Sequence, residues 1–249
     1  MTGKGEQRVA MVTGAGRNIG RAIAQALARQ GFPVVVHTGT DKNAAKETAQ
    51  AVVAEGVEAE VVLGDLTQEN TSKDLVSAAR RLGAPAVLVN NAALRRAVDF
   101  EDMDLEEWRA VLATNLDAAF LCSRAAIGDM LAGGWGRIVN IGGMTGHCGA
   151  AGRAHVVASK AALVGLSKAL AIEFAGRGVT ANCVVPGEND TVRGASAGVR
   201  AGHHGKALPP VGRRGEPDEV AAVIAMLCGP QSGYLTGQTF HVNGGTYLP

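Results

Sequence analysis

Charge of either sign is nearly absent in excess: 24 Lys and Arg face 23 Asp and Glu, a net of +1. No basic field points to nucleic acid as a partner. The four cysteines, Cys122, Cys148, Cys183 and Cys228, form no CxxC pair and no metal-ligand spacing. That speaks against a disulfide scaffold and against a bound metal, and each thiol reads as a small core residue in a reducing compartment. No run approaches the ~20 consecutive apolar residues of a membrane helix. The opening "MTGKGEQRVAMVTG" lacks the apolar stretch of a secretory signal. The expectation is a cytoplasmic protein with no membrane partner. Tyrosine is scarce: Tyr234 and Tyr247 are the only two, and neither is followed by Lys at i+4.

What is present is rhythm. With 47% hydrophobic residues and 34 glycines in 249, the chain can bury a large core and make many tight turns. Short β-branched runs at 8–12, 33–37, 59–64, 86–90, 137–141, 180–185 and 239–243 predict strands. Helical patterns fill the gaps at about 19–30, 42–55, 68–82, 105–131, 154–175 and 216–228. The strands are apolar throughout, with no in–out alternation, as expected when helices cover both faces of a sheet. The fold class is therefore α/β: one doubly wound parallel seven-stranded sheet, Rossmann-like, in a single domain spanning 1–249. One stretch breaks the rhythm. Residues 187–215 are Gly-rich and weakly periodic, the pattern of a substrate lid.

The stretch "VTGAGRNIGRAIAQAL" (12–27) follows the first strand and opens a helix. Gly14, Gly16 and Gly20 let the backbone approach a pyrophosphate, which the helix N-terminus meets with free N–H groups and its dipole. The spacing is not G-x-G-x-x-G, because Ile19 stands where the last glycine would be. It resembles the T-G-x-x-x-G-x-G loop of the short-chain dehydrogenase/reductase family. The likeness continues along the chain: "GDLT" (64–67), "NNAA" (90–93), "TNL" (114–116), "ASKAAL" (158–163), "VPGENDT" (185–191) and "HVNGG" (241–245). Two departures are mild. Asn18 replaces a usual Gly, and Asn tolerates positive φ; Ala93 replaces the last Gly of N-N-A-G.

The resemblance implies a nicotinamide cofactor held by Gly14, Gly16, Arg17, Asn18, Ile19, Gly20, Thr38, Asp65, Leu66, Asn91, Ala92, Ala93, Lys160, Pro186, Gly187 and Thr191. In the family, an acid at the end of the second strand selects NAD. Thr38 aligns there, with Asp41 three residues too late, and Arg17 in the loop could pair with a 2′-phosphate. NADP (as NADPH) is the expected cofactor over NAD. The resemblance also makes Asn115 and Lys160 active-site residues, Lys160 binding the nicotinamide ribose and supporting a proton relay.

The family's general acid is a Tyr four residues before that Lys, with a Ser thirteen residues earlier. Here Val156 and Gly143 hold those positions. Three readings stay open. The leading one is an NADP-dependent oxidoreductase with a replacement acid, His147 or His155 being candidates near pKa 6.5. The others are a non-redox lyase or isomerase on the same fold, and a catalytically inactive NADP-binding sensor or scaffold. His155 is one residue from Val156, and the 100° turn per residue should aim it elsewhere. Arg95 and Arg96 after the fourth strand, with Glu188, Asn189, Asp190 and Arg193 at the start of the lid, make the expected rim charged and admit a polar or anionic small-molecule substrate. Helical stretches 110–131 and 156–174 are apolar or small around most of their circumference. Family members pair these two helices between subunits, so a homotetramer or homodimer is expected.

Overall fold

Strands and helices alternate almost as the hydrophobic rhythm predicts, in a computed structural model that describes residues 7–191 and 208–249. The strands are β1 (Arg8–Val12), β2 (Val34–Thr38), β3 (Ala59–Leu63), β4 (Ala84–Asn90), β5 (Gly136–Ile141), β6 (Val179–Pro186) and β7 (Thr239–Val242). The helices are α1 (Asn18–Arg29), α2 (Lys42–Ala54), α3 (Glu69–Leu82), α4 (Leu105–Leu112), α5 (Ala118–Ala132), α6 (Thr145–Cys148), α7 (Ala154–Phe174) and α8 (Pro217–Cys228). All seven strands pair in parallel in the order β3-β2-β1-β4-β5-β6-β7. The order reverses between β1 and β4, the switch point where open α/β sheets bind ligands at their C-terminal edge.

The central strands are largely apolar on both faces because each face has its own helical cover. Ala10, Val12, Val34, Val36, Val87 and Val89 point into a core shared with α1, α2 and α8. Val9, Met11, Val35, Leu88 and Ile138 point the other way, against α3, α5 and the end of α7. Successive side chains of a strand face opposite sides, so a continuous apolar run fills two cores at once.

Polar residues pin α7 and β5 to the sheet. Asn90 Nδ2 donates to Asn140 Oδ1 at 2.8 Å, and Asn140 Nδ2 donates to Ser167 Oγ of α7 at 2.9 Å. All three residues are buried, where hydrogen bonding removes most of the cost of polar burial.

Two differences from the sequence pattern matter for the site. The stretch 105–131 reads as one helix, but Ala113–Asp117 forms a π-turn between α4 and α5. Such wide turns cluster at functional sites, and this one holds Asn115. The second concerns bilayer length. No contiguous apolar run is long enough to span a membrane, yet Leu105–Ala132 and Ala154–Arg177 reach mean hydropathies of 1.3 and 1.4 over a window of spanning length. Ala and other small residues raise the average without an aliphatic run. Here both lie against the sheet, α5 packing on β4 and α7 on β6.

Candidate active site

Thr13, at the end of β1, organises the centre of the site. Its hydroxyl accepts from the backbone N–H groups of Asn91 at 2.9 Å and Ala92 at 3.1 Å. Asn91 Nδ2 reciprocates by donating to the carbonyls of Thr13 and Gly14. The first βα loop and the loop after β4 are thereby held as one unit. A side chain is impossible at Gly20, where a Cβ would lie 2.3 Å from the Gly14 carbonyl oxygen. Asn18 has φ of 51°, the only positive value at a non-glycine among the described residues. The substitution of Gly by Asn is thus accommodated in the left-handed region, as its tolerance for positive φ predicts.

These loops border a cleft of about 730 Å³ along the C-terminal edge of the sheet. Every residue that the sequence assigns to the cofactor lines it, from Gly14 through Asp65 and Asn91 to Pro186, Gly187 and Thr191. The cradle suits a dinucleotide: its glycines exclude side chains, and the N-terminus of α1 opens onto it with the charge preference that follows. His37 is a wall residue that the sequence pattern did not mark. Its Nε2 lies 3.0 Å from the Gly64 carbonyl and its Nδ1 accepts from Gly14 N–H at 3.5 Å, and burial pushes its pKa below the usual histidine value.

Asp41 corrects the expectation that nothing acidic is in place beyond Thr38. The chain curls back after β2, with Thr38 Oγ1 donating to the Asp41 carbonyl at 3.0 Å. Asp41 therefore lines the cleft too. One carboxylate oxygen caps α2 by accepting from Ala44 N–H at 3.0 Å, and the other pairs with Arg17.

At the far end, Lys160 lies on the floor. Its Nζ donates to the Ile141 carbonyl at 2.7 Å, one of the three donors of an ammonium. Its pKa is lowered to about 8, first by burial and then by the nearby positive charge of Arg95, against a smaller opposing effect of Cys183. Gly143 and Val156, where the sequence motif expects Ser and Tyr, both border the cleft. A Cβ at Gly143 would be 3.4 Å from Lys160 Cγ, in ordinary contact.

The two other proposed active-site residues do not reach the cleft wall. Asn115 is buried, its Oδ1 accepting from Leu94 N–H at 2.7 Å and its Nδ2 donating to the Leu94 carbonyl and to Ser159 Oγ. It ties the loop after β4 to α7. His147 is absent from the lining as well. Thr145 faces the cleft, and two residues further round a helix is about 200°, so His147 turns away against His241 and Tyr247, with ring centroids 4.7 and 5.5 Å distant. Burial lowers the pKa of His147. His155 is fully buried, its Nε2 3.3 Å from Glu107 Oε1, as the 100° rotation from Val156 predicts.

Arg153, Thr145 and Arg214 complete the wall; none was marked in the sequence. The helical spacing Arg153, Val156, Lys160 was the available signal, since i, i+3 and i+7 share a face. The two ends of the stretch 187–215 are tied together: Gly215 N–H donates to the Glu188 carbonyl, Asp190 N–H donates to the Gly215 carbonyl, and Arg214 stands 3.5 Å from Glu188 and from Asp190. Arg193 and the middle of that stretch, 192–207, lie outside the described residues.

The family described as enoyl-(acyl carrier protein) reductase matches residues 14–247. The chain is 39% identical over 246 residues to the 3-oxoacyl-(acyl-carrier-protein) reductases of Salmonella typhimurium and of Escherichia coli, covering 98% of each chain in both comparisons. Among solved structures it resembles an acetoin dehydrogenase from Salmonella typhimurium, with a TM-score of 0.87, 34% identity, and coverage of 96% of this chain and 95% of that one. With its parallel seven-stranded sheet and its glycine loop at the switch point, the chain belongs to the short-chain dehydrogenase/reductase family of oxidoreductases.

Proposed function

We propose that the protein is an NADP(H)-dependent oxidoreductase that acts on a small carbonyl or alcohol substrate without the family's Ser and Tyr side chains. The observation that carries this is the juxtaposition of Lys160 with Gly143 and Val156 in the same cleft as the phosphate-type glycine loop. When bound, the nicotinamide supplies or accepts hydride. The rest of the chemistry belongs to the chain. The α1 N-terminus and Arg17 bind phosphate, Asp65 borders the adenine end, and Lys160 holds a proton at Nζ that is half dissociated near pH 8. Gly143 and Val156 offer the substrate oxygen no donor, so stabilisation of a developing alkoxide falls to the cations of the wall.

NADP is favoured over NAD by the Thr38 and Arg17 pair of features. Arg17 is held by Asp41, but both side chains are about half exposed, and such a pair contributes only about 0–1 kcal/mol. A 2′-phosphate can therefore draw the guanidinium away at little cost. Fluorescence titration of the protein with NADPH and NADH, followed by single-turnover mixing with ketones, tests the reading. Tighter NADPH binding with measurable oxidation supports it; no nucleotide binding sinks it.

The same reading extends to assembly: α5 and α7 pair with a second copy of the chain. Ile172 of α7 is 89% exposed and Phe120 of α5 47%, while barely two-fifths of each long apolar window is buried in the single chain.

A further inference from the structure

The part of the cleft that lacks the family's two hydroxyls, at Gly143 and Val156, is bordered by guanidinium groups. Arg153, at the N-cap of α7, is only 5% exposed and shares a helical face with Val156 and Lys160. Arg95 borders the same space from the loop after β4, close enough for its charge to act on Lys160. Among the described residues, the carboxylate that lines this part of the wall is Glu188, and Arg214 stands beside it. Cations thus outnumber carboxylates where the substrate sits. The pyrophosphate does not explain this excess, since it belongs at the N-terminus of α1, next to β1, two strands away from the β5 and α7 side of the cleft.

We infer that this end of the cleft is a subsite for a carboxylate, and that the substrate is a short oxo acid or hydroxy acid anchored by Arg153 with Arg95 assisting. A guanidinium presents two parallel N–H groups that match the two oxygens of a carboxylate. In a cleft of low dielectric that match is far stronger than at a surface. Arg153 and Lys160 are seven residues apart, about 10 Å along the helix axis, with the apolar Val156 between them. That separation is between the two backbones; both long side chains border one cleft, in which a short acid places its carboxylate at the guanidinium and its reacting oxygen toward Lys160. The assignment rests on the oxidoreductase reading for which end of the cleft holds the reacting carbon. Arg153 acts here as a specificity residue that touches substrate.

Binding without turnover tests it. Calorimetric titration with 3-hydroxybutanoate and with its methyl ester is run on the protein saturated with NADPH and again without nucleotide. The acid is expected to bind at least tenfold more tightly than the ester. Arg153→Gln should bring the two within about twofold of each other, and Arg153→Lys should give an intermediate ratio, while both variants keep the parent's circular dichroism spectrum and NADPH affinity. Arg29→Gln, on an exposed face of α1, should keep the parent's ratio. An acid that binds no better than its ester, including no binding of either, overturns the subsite. So does an acid-to-ester ratio untouched by Arg153→Gln, or tighter binding of dihydroxyacetone phosphate than of the acid, which would assign the pocket to phosphate. Failure of hydride transfer to every ketone would instead count against the oxidoreductase reading and leave the acid-to-ester ratio standing.

Discussion

Arg17 and Asp41 form an ion pair on the wall of the cleft, 24 residues apart in sequence and 50% and 43% exposed. On the NADP reading the two side chains oppose each other: Arg17 is the group that would bind a 2′-phosphate, and Asp41 tempers that preference by competing for the guanidinium. Asp41→Asn removes the charge but keeps an α2 N-cap, because Asn caps as well as Asp. NADPH affinity should rise severalfold in that variant, with little change for NADH. Arg17→Ala should weaken NADPH binding several times more than NADH binding. Fluorescence titration measures both, and equal losses for the two nucleotides would contradict the assignment.

Lys160 makes the unliganded protein's stability depend on pH in a particular window. Its pKa in the fold is about 8 against an ordinary 10.5. Below pH 8 the fold carries the full cost of a buried ammonium. Between about 8 and 10.5 the folded chain sheds the proton while the unfolded chain keeps it, so the cost fades as pH rises. The shift corresponds to roughly 3 kcal/mol at its limit. Lys160→Met should therefore be more favourable for stability at pH 7 than at pH 9.5, as urea unfolding of the two proteins would show. A difference between them that does not change with pH would contradict the buried charge.

Pairing of α5 and α7 between subunits predicts a mass at least twice 25.4 kDa by light scattering at micromolar concentration. Ile172→Asp should lower that mass, because a carboxylate on an apolar contact is costly to desolvate. A parent protein near 25.4 kDa would remove the basis for the assembly.

Much of this site was legible because its chemistry is local. Glycines that turn a βα loop, an Asn that accepts positive φ at position 18, and a Lys on an apolar helical stripe declare themselves in a few residues. What escaped depends on how the chain curls or on what it packs against. Asp41 looked too distant along the strand, but the turn from Thr38 brings its carboxylate back to Arg17. His147 has the right chemistry two residues from a cleft residue, and the helical rotation sends it to His241 and Tyr247. Asn115 carries the family's motif, but its side chain is spent on Leu94 and Ser159, partners fixed by a π-turn that no hydrophobic period reveals. Arg153 was hidden for a different reason: an arginine beside a helix start reads as solvated until the structure shows it 5% exposed.

Single-turnover oxidation of bound NADPH by an activated ketone, in the parent and in the double variant Gly143→Ser with Val156→Tyr, measures the missing oxygen-side chemistry most directly. The new Ser would sit in ordinary contact with Lys160, and the Tyr would stand one helical turn before it. The double variant should react at least tenfold faster than the parent, within the usual range for a positioned acid, at unchanged NADPH affinity. Neither single change should match it, because groups that act as a unit are not additive. A parent that already reduces the ketone at ordinary rates of about 10 s⁻¹, with no gain in the double variant, would contradict the claim that Gly143 and Val156 leave the substrate oxygen without its donors.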